Sequence, residues 1–156
     1  MKQSFHSILI CIIAFLLAAG TGCTEQIVPR SAEVHLSITG KVVDPDGKPI
    51  AGLEVTPYIN SIQLDMAIKQ IASPVITDQN GDYHIETKTW PCDYLTFIVR
   101  DIDGPDNGGT FSDNTYHLMI WYDDTRMTDT GTTWDFGTVE VEVPKIWMKP
   151  EEQPEE

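Results

Sequence analysis

The chain has 156 residues, enough for one domain with appendages, and its 10 basic against 24 acidic residues leave a net charge of −14. A surface this acidic repels phosphate backbones, so nucleic acid is excluded as a partner, and it offers anionic headgroups no electrostatic hold. Three cysteines spread along the chain give no disulfide framework.

The first 22 residues read as a leader rather than as part of the domain. Lys2 supplies a short positive stretch and Ile8 to Ala19 an apolar run, too short for the roughly 20 residues of a membrane-spanning helix. Gly20, Thr21 and Gly22 are small residues placed directly before Cys23. A lipoprotein signal peptidase needs small side chains at its cut and a cysteine whose thiol carries the diacylglycerol. The pattern predicts a signal peptide over 1–22 and lipidation of Cys23, with the mature chain hung from a membrane. Without Lys2 the mature chain has nine basic residues against 24 acidic ones, so attachment must come from lipid and not from basic side chains. Thr24 stands where an inner-membrane retention signal would place Asp, which points to the outer membrane of a cell envelope. Cys11 leaves with the leader. Cys92 is then the one thiol without an assigned role, and a buried small hydrophobe is its expected state.

Residues 23–33 read as a polar tether. From Val34 the apolar positions recur with period two: Val34, Leu36 and Ile38, then Leu53 and Val55, Tyr83 and Ile85, Leu95, Phe97 and Val99, and finally Val139, Val141 and Val143. Alternation of this kind buries one face of a sheet and wets the other. Turn signals punctuate it at 44–47 (DPDG), 78–82 (DQNGD) and 103–109 (DGPDNGG). Ile62 to Ile71 is the one plausible short helix, although Ile68 to Thr77 reads equally as a strand. The expected fold is all-β: a single antiparallel β-sandwich of about seven strands over 34–145. Residues 146–156, ending in KPEEQPEE, read as an acidic disordered tail.

Candidate sites are few. Asp101, Asp103, Asp106 and Asn107 crowd one Gly-rich loop, and a flexible turn rich in oxygen ligands suits calcium. The loop fails the EF-hand spacing, however, and the competing reading is that Asp and Asn cap its turns. Asp78, Asn80 and Asp82 repeat the theme around a hairpin Asn-Gly. His35, His84 and His117 stand singly in alternating strands and predict no zinc motif. No nucleophile elbow, P-loop or dinucleotide fingerprint is present, and the pair Asp123 and Asp124 supports no glycosidase dyad; the expectation is that the chain is not an enzyme. Trp121, Tyr122 and Trp134 flank a late loop and are candidate contacts for a glycan or protein partner, with core filling as the alternative.

Two stretches carry a resemblance. GKVVDPDGKPIAGLEV at 40–55 and TDQNGDYHI at 77–85 resemble the carboxypeptidase regulatory-like, or transthyretin-like, domain. That likeness implies a prealbumin-like sandwich and no catalysis of its own. Together with the leader, Cys23 and DIDGPDNGGTF at 101–111, the pattern is similar to the radical SAM-associated lipoproteins of Bacteroidota, and it departs from them after Phe111. This resemblance implies an alternative role, as substrate or accessory of a neighbouring radical SAM enzyme, beside the expectation of a lipid-anchored sandwich presenting a binding surface.

Overall fold

The computed structural model describes residues 31–61, 66–122, 127–131 and 133–151. The leader, Cys23 and Asp123 and Asp124 lie outside these residues. Ten strands follow in chain order: β1 (Ser31–Val43), β2 (Leu53–Ser61), β3 (Met66–Gln70), β4 (Val75–Ile76), β5 (Asp82–Thr89), β6 (Tyr94–Asp101), β7 (Asn114–Met119), β8 (Thr128–Asp129), β9 (Thr133–Glu142) and β10 (Ile146–Trp147). Between β6 and β7, Asp106–Gly108 forms a 3-10 turn. Among the described residues no helix is long and apolar enough to cross a membrane.

The chain forms the all-β sandwich that the period-two pattern predicts. In the first sheet β1 is the spine, with antiparallel β5 along one edge and β9 along the other, and short β8 pairs β9. In the second sheet β2 pairs both β3 and β4, then β6, and β6 pairs β7, all antiparallel. Val34, Leu36, Ile38 and Val42 from β1 point inward, as do Val55 from β2, Ile85 from β5, Leu95, Phe97 and Val99 from β6, and Val141 from β9. Their alternate neighbours His35, Ser37 and Thr39 face out.

Several details depart from the sequence reading. Three two-residue strands, β4, β8 and β10, carry no periodicity of their own and bring the strands to ten. β1 pairs β9 and β10 in parallel, a register that no local pattern announces. β1 begins at Ser31, three residues inside the expected tether, because Ser31 and Ala32 pair with Thr133 and Trp134. The segment Met66–Gln70 is a strand, which settles the helix-or-strand choice there. The boundary of a disordered tail at 146 is corrected. Ile146 and Met148 are fully buried, Ile146 and Trp147 pair with Val42 and Val43, and Pro150 bridges to Phe111. Alternate apolar residues in IWMK bury two side chains, and that outweighs the polar composition that follows. The domain therefore runs through Glu151.

The registers give the sandwich two distinct ends. At the Ser31 end, Ser31 meets Thr133, Val34 meets Thr89, and Tyr94 lies between Asn60 and Met119. At the Val43 end, Lys41 meets Asp82, Val42 meets Ile146, and Leu53 meets Asp101. The 13 residues of β1 span about 40 Å between them at ~3.3 Å per residue.

Candidate functional site

Three Asp-centred loops are gathered at the Val43 end. In the first, Asp44 Oδ1 accepts the amides of Asp46 at 3.0 Å and Lys48 at 2.8 Å, and Gly47 N donates to Asp44 O. In the second, Asp78 Oδ1 accepts the amides of Asn80 at 2.8 Å and Asp82 at 2.9 Å, and Gly81 N donates to Asp78 O. The same device is used twice: an Asp accepts amides two and four residues on, around a glycine at the third position with positive φ. The two loops lock together. Val42 N donates to Gly81 O at 2.8 Å, and a methyl group on Gly81 would overlap the Val42 carbonyl oxygen. Buried Thr77 completes the joint, donating its hydroxyl to Ile50 O at 2.9 Å and accepting from Leu53 N at 3.0 Å.

The third loop holds the predicted calcium residues. Asp101 turns its carboxylate inward: Oδ1 accepts from Asp103 N at 3.2 Å and Gly104 N at 2.9 Å, and Oδ2 from Phe111 N at 2.8 Å. Both oxygens thus serve backbone amides, as in the turn-capping reading. Asp103 accepts from the Asn107 side-chain amide, and both side chains lie over Gly52, where a Cβ would overlap Asp103. Asp106 is exposed. Among the described residues no group of three or more His, Cys, Asp or Glu side chains is placed to hold a metal ion.

Two of the histidines that look isolated in the sequence do meet. On the outer face of the first sheet, Glu86 lies between His84 Nε2 at 2.9 Å and His35 Nε2 at 3.3 Å, and it accepts Ser37 Oγ at 2.8 Å. All four side chains are on one face because Ser37 pairs with Glu86, and His84 pairs with Thr39 on the same strand as His35. The Ser37 hydrogen bond, then the nearby His84 and His35, hold the Glu86 carboxyl below its ordinary range against a smaller desolvation effect. His117 stands apart from this group, on the second sheet, with Nδ1 at 3.0 Å from Thr96 Oγ1.

The Ser31 end carries a different chemistry. A groove of about 320 Å³ opens there, lined by the start of β1 (Ser31, Glu33), the end of β3 (Lys69, Gln70) and the residues closing β5 (Lys88, Trp90). Lys69 Nζ sits 4.6 Å from the centre of the half-exposed Trp90 ring. Lys88 Nζ is 2.7 Å from Glu33 Oε1, and this hydrogen bond raises the lysine's pKa. The sequence reading missed this groove, because its three segments are separate in the chain and meet only where β1 and β5 of one sheet pack beside β3 of the other.

The predicted aromatic residues also fall at this end but do not form one surface. Trp121 is 82% exposed. Tyr122 packs inward, edge-to-face on Phe136 at 5.7 Å, with its hydroxyl accepting Cys92 N at 3.1 Å. Burial raises the Tyr122 phenol, and burial likewise raises the Cys92 thiol, so the free Cys92 is an inert core residue. Trp134 is half-buried on β9, in register with Ala32 beside the groove.

No family model and no curated protein matches the chain. Solved structures do. The 3-chlorocatechol 1,2-dioxygenase of Rhodococcus opacus 1CP is 14% identical over 79% of this chain and 62% of that one, with a TM-score of 0.47. The catechol 1,2-dioxygenase of Pseudomonas arvilla C-1 is 15% identical over 78% and 54%, with a TM-score of 0.45. The N-terminal domain of the shaft pilin of Lactobacillus rhamnosus GG is 10% identical over 80% and 98%, with a TM-score of 0.35. This chain spans less than two thirds of the length of those two dioxygenases. The expectation that the chain is not an enzyme is corrected: the solved structures similar to it include catechol and hydroxyquinol 1,2-dioxygenases. At these identities the likeness concerns the fold and brings no activity to this chain.

Proposed function

We propose that the protein is a lipid-anchored component of the cell envelope, attached through Cys23, that presents its β-sandwich as a binding module. The observation that carries this reading is the polarity of β1. The strand starts eight residues after Cys23 and ends about 40 Å away among the three Asp-ordered loops. Loops fixed on a rigid scaffold, far from the point of attachment, are well placed to meet a partner. Asp46 and Asp106 are exposed there, and their charge favours a basic protein surface. The outer-membrane location and the kinship with radical SAM-associated lipoproteins belong to this proposal.

Capture from native envelope extracts tests it, using the full lipidated chain as bait with chemical cross-linking. The expected result is a partner held by the native protein and lost when Asp46→Lys and Asp106→Lys reverse the loop charge. Capture of nothing, or of a partner indifferent to those changes, would contradict the binding role of the loop end.

A further inference from the structure

We propose that the Ser31 end of the sandwich is a lipid-contacting base, seated on the headgroup layer of the membrane with the Asp-ordered loops directed away. The inference rests on the lipoprotein reading of Cys23 and adds an orientation and a contact surface to it. Eight chain steps lead from Cys23 to Ser31, and a chain of that length reaches at most about 29 Å. The Ser31 end therefore stays within that distance of the lipid, whereas the Val43 end can stand a full strand length further out.

Exposed apolar side chains stand at both ends, and the most exposed of them, Trp121, is at the Ser31 end. Exposed Trp90, Met119, Trp121 and Met127 all lie at the Ser31 end, fixed there by register. Trp90 follows β5 where it pairs with the start of β1, Met119 pairs with Tyr94, Trp121 follows Ile120, whose amide donates to Asp93 O at 3.0 Å, and Met127 precedes β8 beside Thr133–Asp135. Lys69 and Lys88 stand beside Trp90 in the groove. Tryptophan and lysine are side chains with an apolar body and a polar tip, suited to the boundary between acyl chains and water. Glu33, Asp93, Asp129 and Asp135 share this end, and Glu33 is paired with Lys88. The base is thus amphipathic rather than cationic, and it meets headgroups through its aromatic rims while lipid supplies the anchor. The exposed apolar residues elsewhere stand next to the aspartate loops: Ile76 precedes Asp78, Ile102 lies between Asp101 and Asp103, and the Trp147 ring lies over Gly47.

Lysine footprinting of the lipidated full chain tests the orientation. The protein is reconstituted into phosphatidylethanolamine–phosphatidylglycerol vesicles, labelled with an amine-acylating reagent, and compared with the same protein dispersed in detergent. Labelling of Lys69 and Lys88 is expected to fall several-fold in vesicles while Lys41, Lys48 and Lys145 keep their rates. Trp90→Ala combined with Trp121→Ala is expected to restore labelling of Lys69 and Lys88 without removing the lipid. Equal labelling of Lys69 and Lys88 in both states, or protection of Lys48 and Lys145 instead, would overturn the base while leaving the anchor intact. A chain whose intact mass shows no acyl group on Cys23 would overturn the anchor itself, and the orientation with it.

Discussion

The two ends of the sandwich are built on opposite plans. At the Val43 end each loop is ordered by its own residues: Asp44, Asp78 and Asp101 each collect backbone amides from within ten positions along the chain. At the Ser31 end the turn between β8 and β9 is local too, with Asp129 Oδ1 accepting from Gly131 N at 2.7 Å, but the groove is not. The groove joins three segments from β1, β3 and β5, and the Tyr122 hydroxyl reaches Cys92 from 30 residues away. The first plan yields preorganised loops, and the second yields a surface whose Trp121, 82% exposed, contributes little to holding the fold together. Local loop order at one end and the solvent-exposed Trp121 at the other are thereby separated in space.

Substitutions should expose that separation. Gly81→Ala forces a side chain onto a residue at φ 70° and into the Val42 carbonyl, and we expect a loss of about 3 kcal/mol in denaturant unfolding. Asp101→Ala strands three partly buried amides, and the expected loss is about 2 kcal/mol. Asp101→Asn should recover part of it, since the amide oxygen still accepts. Trp121→Ala, at the other end, should shift unfolding by no more than about 0.5 kcal/mol. A loss at Trp121 as large as that at Gly81 would erase the contrast between the two ends.

The smallest effect is expected midway, on the outer face. Glu86 ionises at lower pH in the folded protein than its ordinary value of 4.5, chiefly through Ser37 and then His84 and His35. A carboxyl depressed on folding favours the folded state while it is ionised, so its contribution is present above the ordinary value and fades as pH falls through the depressed one. Urea midpoints measured from neutral pH down to about pH 3 should therefore decline slightly less steeply in Glu86→Gln than in the native chain. An identical acid slope would show that the four-residue group on this face is energetically silent.

The same contrast explains what could be read from the sequence. DPDG, DQNGD and DIDGPDNGG announce turns because the residues that order each turn are contiguous, and alternation such as Val34-Leu36-Ile38 announces strands for the same reason. Three features needed long-range register instead. His35 and His84 share Glu86 only because β1 pairs antiparallel with β5. The groove with Lys69, Lys88 and Trp90 needs both sheets in place. β10 is two residues long and was masked by the acidic stretch after it, although buried Ile146 and Met148 close the core there. Gly40 shows the intermediate case: the glycine is visible in β1, but its reason is the Tyr83 ring from the neighbouring strand, which occupies the space a Cβ would take.

The proposed attachment of the sandwich depends on a lipid at Cys23. An intact mass of the protein extracted from its native membrane reports that lipid. We expect the mass of Cys23 to Glu156 plus acyl chains, and any further increment would report a modification of the kind the proposed kinship with radical SAM-associated lipoproteins implies. A chain that still carries residues 1–22, or one that begins after them without acyl chains, would contradict it.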